Sequence, residues 1–292
     1  MKGGTFSMRF FHSLLRPEEN AGRAMRCVHR LWVFLWLTAF GLGIGLLSLY
    51  LTANSYASID AQALWESYFK LPLLVVMDLL LPLLVVYLGF FLFARPWAAY
   101  LLSAVPFLGL ALASYYKIQL RGDPVLASDL RLIRTAGGIM GNYTFELTEP
   151  VKLVIAGFVG MLIFSVVLLR RERMSQRGRL VGLMAMLTLT LASYFELYTS
   201  ADIYEKTANN SLINPWSEVE IYLSRGTTYP FLYSVQDMFP NAPSGYRESE
   251  ATGTLAEYED TDIPEEEKIT VVGIMLEAFS DLTDFPVLDE IP

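Results

Sequence analysis

Glu277 stands at the end of an apolar run in ITVVGIMLEAFSD, residues 269–281, where Val- and Ile-rich sequence gives way to a carboxylate and a short polar turn. The run, Ile269 to Leu276, is apolar on both faces and too short to cross a membrane. That is the pattern of a strand covered on both sides in a parallel α/β sheet. Ligands of open α/β sheets bind at the carboxyl ends of strands, so a carboxylate there is placed to hold a hard divalent cation, Mg2+ or Mn2+, through oxygen. A cap on the turn, or a pair with a nearby Arg or Lys, accounts for Glu277 equally well on spacing alone. Ser280, Asp281, Thr283 and Asp284 follow it. Their simplest reading is a helix cap with carboxylates in its first turn, rather than a nucleophile.

Two other groups of residues could do chemistry. Asp78 lies inside VVMDLLLPLL, where an ionised carboxylate costs at least about 2.5–3.5 kcal/mol in a membrane. It reads either as a functional contact to a lipid headgroup or another helix, or as a protonated or helix-paired structural residue, and Pro82 one turn later is expected to kink its helix. Arg121, Arg131 and Arg134 form the second group. Beside a membrane each attracts anionic phospholipid headgroups with about 1 kcal/mol; pairing with Asp123, Asp129 or the acidic tail is the alternative. The single cysteine, Cys27, excludes a disulfide within the chain. Asn142 and Asn209 open N-x-S/T patterns, which occur often by chance.

The elements that must position these residues are largely membrane helices. The chain of 292 residues is 53% hydrophobic with mean hydropathy +0.39, and its apolar residues are clustered. Five stretches are long enough for the ~30 Å hydrocarbon core of a bilayer: Leu31–Ala53, Leu71–Ala94, Pro96–Tyr115, Leu153–Leu169 and Leu180–Leu197. Basic residues crowd the segment before the first stretch and the loop RRERMSQRGR between the fourth and fifth, which predicts that both face the cytoplasm. An odd number of crossings then puts the acidic C-terminal part outside. Both histidines, His12 and His29, fall on the cytoplasmic side. No phosphate-binding Gly-rich loop, Cys/His cluster or basic nucleic-acid patch is present, and the net charge of −8 argues against a nucleic-acid partner.

The expected fold is therefore a polytopic α-helical membrane domain of five transmembrane helices, N-in and C-out, followed by the first strand of an extracellular α/β domain. Residues 1–197 form the membrane unit, with an outer loop at 116–152. Residues 198–268 form a helical connector and an acidic linker, and 269–292 begin the next domain. In YPFLYSVQDMF, Phe231, Val235 and Met238 fall on one helical face and are expected to lie on the membrane or the next domain.

The strand VVGIMLEAFSD resembles the opening motif of the sulfatase/alkaline-phosphatase-like catalytic domain of the lipoteichoic acid synthase family, polytopic phosphoglycerol transferases. The loop RGDPVLASDLRLIRTAGGIMGNY, residues 121–143, is similar to that family's loop between the third and fourth helices. The connector NPWSEVEIYLSRGTTYPFLYSVQDM and the later PSGY resemble its link from the fifth helix to the enzyme domain. The resemblance implies that Glu277 is the first ligand of a single Mn2+ or Mg2+ ion at an outer active site. It further implies a threonine nucleophile that takes glycerol phosphate from phosphatidylglycerol and passes it to a growing glycerol-phosphate polymer. The metal would lower the nucleophile's pKa and stabilise phosphoryl charge.

No residue of this chain matches that nucleophile or the remaining Asp and His ligands. They are expected beyond Pro292, so these 292 residues alone are expected to be inactive, as the N-terminal part of an enzyme of the bacterial plasma membrane. Two alternatives stay open: a non-catalytic membrane anchor or partner module, and a phosphoethanolamine transferase-like enzyme, against which the loop and connector motifs argue.

Overall fold

The computed structural model describes residues 23–133, 137, 144–169, 174–209, 213–214, 216–238, 245–256 and 273. Among them there are helices and turns and no strand. The chain forms two compact units, Met1–Pro240 and Asn241–Pro292.

In the first unit, α1 (Arg23–Ala53) leads through a short α2 (Ala61–Lys70) to α3 (Pro72–Phe93), α4 (Pro96–Arg121), α5 (Glu149–Leu168) and α6 (Gln176–Ser193). The five longer ones are each long and apolar enough to cross a membrane. They coincide with the five apolar stretches of the sequence, but several extend further. α4 continues past Tyr115 to Arg121, and α5 starts at Glu149, because the charged residues at these ends carry the helices beyond the apolar run. Gly122, at φ +78°, stops α4 by turning its amide back onto the Ile118 carbonyl at 2.9 Å.

Local chemistry sets the turns. Ala94 takes the left-handed conformation, φ 54°, and closes α3 on the Phe90 carbonyl at 2.7 Å; Pro96 then opens α4 at its first position, where no amide is needed. Asp60 caps α2 by accepting from the Ala63 amide at 2.8 Å, and Ser175 caps α6 by accepting from Gly178 at 3.1 Å.

The centre of the bundle is α1, α3 and α4. Leu37, Phe40, Ile44, Met77, Phe90, Tyr100 and Ala104 are buried among them. Small residues let α1 and α3 approach: a Cβ at Gly41 would come within 2.6 Å of the Leu83 Cα, and one at Gly45 within 3.1 Å of the Leu79 Cα. Close contact through a Gly-x-x-x-Gly face is a favoured way for membrane helices to associate. α5 and α6 lie at the periphery. Val166, Val167, Leu180 and Val181 each expose more than half their surface, a continuous apolar exterior that water tolerates poorly and hydrocarbon covers.

Past α6 a π-turn, Tyr194–Tyr198, leads into α7 (Ala201–Lys206), α8 (Glu218–Ser224), α9 (Thr228–Tyr233) and a 3-10 turn, Ser234–Met238. These pieces pack on the end of the bundle where α1 finishes and α3 starts. Of the residues on the expected face, Phe231 is half-buried against the cluster that includes Leu49, Tyr68 and Leu223, and Val235 and Met238 are half-buried in the 3-10 turn. α9 buries Thr228, Tyr229 and Pro230 at its own start and changes to 3-10 geometry at Ser234, because its first turn is drawn into the bundle.

In the second unit the acidic segment is helical over α10 (Glu248–Ala256), with a surface pair between Arg247 and Glu250 at 2.8 Å. The strand expected at 269–276 lies, apart from Gly273, outside the described residues.

Candidate functional site

The sequence's odd carboxylate, Asp78, organises the site. It sits in the second turn of α3, about 9 Å along the axis from its start, and is fully buried. Its Oδ1 accepts hydrogen bonds from the amide of Thr228 at 2.8 Å and of Tyr229 at 3.4 Å. These are the first amides of α9, which have no partner within their own helix. Asp78 therefore caps a helix of the connector from a different helix, placing an acceptor oxygen at the positive end of the α9 dipole. The geometry thus puts Asp78 in contact with another helix, a feature that both readings of this residue contain.

Gly226 makes the approach possible. Its φ of +88° belongs to the left-handed region, and a Cβ on it would overlap the Asp78 carboxyl group. The chain thus folds back over Asp78 through Arg225-Gly226-Thr227 before α9 begins. On the α3 side, Pro82 has no amide to give the Asp78 carbonyl, and Ser103 of α4 supplies a donor to the Pro82 carbonyl at 2.8 Å.

Further bonds hold the connector. The Tyr68 hydroxyl donates to the Leu223 carbonyl at 2.7 Å, and the Tyr198 hydroxyl to the Met77 carbonyl at 2.6 Å. The hydroxyls of Thr52 and Thr227 are in contact, and Asn209 Nδ2 donates to Ser67 Oγ at 2.6 Å. Asn209 is buried in that contact, so its N-x-S pattern does not present an exposed side chain. Arg225, also buried, donates to the carbonyls of Tyr204 and Ile221 at 3.1 and 3.3 Å and lies 4.2 Å from the centre of the Tyr204 ring, which itself stacks on Tyr233. Burial pushes the phenols of Tyr68 and Tyr222 well above the usual tyrosine range and that of Tyr229 up to about 12. All three act as neutral hydrogen-bonding or packing groups rather than as bases.

The loop after α4 is tied to the same connector. The Tyr222 hydroxyl bonds the carbonyl of Val125 at 3.0 Å, Ser234 Oγ accepts from the Ala127 amide at 3.0 Å, and Arg131 donates to the carbonyl of Met238. Within the loop, Asp129 pairs with Lys117 at 2.7 Å and accepts from the Leu126 amide at 2.8 Å. Arg121 and Arg131 are exposed at this end of the bundle. Glu277 and Arg134 lie outside the described residues. So the structure brings together Asp78, the connector and the described part of the loop.

The reversal over Asp78 has one signal in the sequence, Arg225-Gly226, a charge-glycine pair inside the connector motif. Among the described residues, no cluster of three His, Cys, Asp or Glu side chains could hold a metal ion. What this arrangement does chemically is neutralise the open end of α9 inside the bundle and fix the course of the chain toward Met238. Comparison with protein-family models, with curated proteins and with solved structures finds no match.

Proposed function

We propose that this chain is the membrane and connector part of a metal-dependent phosphoglycerol transferase that builds a glycerol-phosphate cell-surface polymer from phosphatidylglycerol. One observation carries the reading. The two segments whose motifs resemble the lipoteichoic acid synthase family, the loop from Arg121 and the connector through Met238, are far apart in sequence yet bonded to one another at one end of a five-helix bundle. A phosphoglycerol transferase working at a membrane surface needs such a platform, because its lipid substrate is held in the bilayer while its chemistry takes place in water.

In this reading the basic N-terminal segment and the α5–α6 loop face the cytoplasm of a bacterial cell, and the connector end faces outward. Glu277 supplies the first ligand of an Mn2+ or Mg2+ ion, and a threonine in the following part of the natural protein is the nucleophile. The metal supplies charge stabilisation at the phosphoryl group. Arg121, Arg131 and Arg134 attract the anionic headgroup toward that end. Asp78 contributes by anchoring the connector rather than by touching substrate.

The test is transfer of labelled glycerol phosphate from phosphatidylglycerol by the natural protein, with its reading frame followed past Pro292. Transfer that disappears on chelation and returns with Mn2+ supports the reading. A protein that shows no transfer with either metal is the non-catalytic membrane module instead.

A further inference from the structure

At the opposite end of the bundle, the α3–α4 turn borders an open groove of about 780 Å3, lined by Leu92, Phe93, Trp97, Leu101 and Val105 and by Arg95 at its mouth. The lining is apolar apart from Arg95, and Trp97 and Val105 are 36% and 58% exposed. The groove runs along one face of α4, inside a helix long and apolar enough to cross a membrane, so hydrocarbon is its natural surrounding.

Its mouth is polar and positive. Arg95 is exposed and makes no ion pair among the described residues. It is also the N-cap residue of α4 and offers no side-chain acceptor to that helix. Pro96 has no amide, and the amides of Trp97 and Ala98 that follow are among the first donors of a helix, without partners inside it. A guanidinium and the positive end of a 26-residue helix therefore lie together at the start of α4, among the residues that line the groove. Arg179 adds charge nearby, fixed by bonds from its guanidinium to the carbonyls of Phe91 and Leu92.

We propose that this groove binds one anionic glycerophospholipid from the leaflet at the α3–α4 turn. Its phosphate meets Arg95 and the start of α4, and an acyl chain lies along Leu101 and Val105. Charge complementarity selects the occupant: a zwitterionic lipid offers the same chains but brings its own cation to a mouth that already holds one. The site is at the other end of the bundle from Asp78 and the connector and is independent of the transferase reading.

Native mass spectrometry of the detergent-solubilised full chain, titrated with dioleoyl phosphatidic acid or with dioleoyl phosphatidylcholine, tests it. Phosphatidic acid is chosen so that a phosphatidylglycerol substrate site is not what is read. One phosphatidic acid is expected to be retained more strongly than phosphatidylcholine. Arg95→Gln should weaken retention about fivefold, the factor one basic residue near an anionic surface supplies, while Arg95→Lys keeps most of it. Val105→Trp, which fills the groove from an exposed position, should abolish it without lowering the thermal midpoint. Equal retention of the two lipids, or retention unchanged in both Arg95→Gln and Val105→Trp, overturns the proposal. So does a Val105→Trp variant that changes oligomeric state and not lipid retention, which would assign the groove to a second copy of the chain.

Discussion

Asp78 Oδ1 accepts the amide of Thr228 at 2.8 Å across 150 residues of sequence. That single bond ties the second membrane-length helix to the segment by which the chain leaves the bundle. The same oxygen satisfies the first amides of α9 where they are buried against the bundle. Polar backbone inside a membrane protein survives only where protein satisfies it, and the start of α9 is satisfied by a carboxylate.

Removing the acceptor should therefore cost more than removing the charge. Asp78→Ala leaves two buried amides without a partner, at about 1–3 kcal/mol each, and should lower stability by roughly 2–6 kcal/mol. Asp78→Asn keeps an acceptor oxygen and loses mainly the charge–dipole contribution, about 0.3–1 kcal/mol. Thermal unfolding of the three proteins in one detergent distinguishes them; equal destabilisation by Asn and Ala would mean that the charge itself is the anchor.

Glycine positions offer a paired experiment. Gly226 and Gly245 share φ +88°, but a side chain at Gly226 meets the Asp78 carboxyl group while one at Gly245 meets nothing within 4 Å. Gly245→Ala should cost about 1–2 kcal/mol, the left-handed backbone penalty alone. Gly226→Ala adds a clash in a buried site and should cost at least about 1 kcal/mol more, with faster proteolysis of the connector after Tyr198. Equal effects of the two substitutions would show that the close approach to Asp78 is not made.

The link between loop and connector is testable by hydrogen exchange. Ser234→Ala takes the acceptor from the Ala127 amide and should raise exchange of that amide about fivefold, the equivalent of about 1 kcal/mol. Exchange in α3 should stay as it is. Protection of Ala127 unchanged by the substitution would place the loop's anchor elsewhere.

The five long apolar helices were the legible part of this fold, because about twenty apolar residues in a row have few uses other than crossing a membrane. All five appear, lengthened where Lys117, Arg121 and Lys152 let a helix continue past hydrocarbon. The partner of Asp78 was not legible. A carboxylate in an apolar run advertises that it needs a donor, but the donors are amides, present in every residue. Which amides are near depends on the reversal at Gly226. The burial at the start of α9 was hidden for the same reason: periodicity points to Phe231, Val235 and Met238, and says nothing of the cap that draws Thr228 and Tyr229 inward. Arg95 carried no signal as a residue; its position became meaningful once the turn set it over an apolar groove.

Glu277 carries the central claim, and one assay addresses it. Glycerol-phosphate transfer from labelled phosphatidylglycerol is compared in the natural full-length protein and its Glu277→Ala variant, at fixed Mn2+ and with matched amounts in the membrane. Loss of a direct metal ligand should exceed the 10–100-fold typical of residues that only orient one, so transfer should fall by more than about 100-fold, with Mn2+ content falling in parallel. A variant that retains wild-type transfer and metal content would contradict the assignment of Glu277 and, with it, the reading of this chain as the membrane part of a metal-dependent transferase.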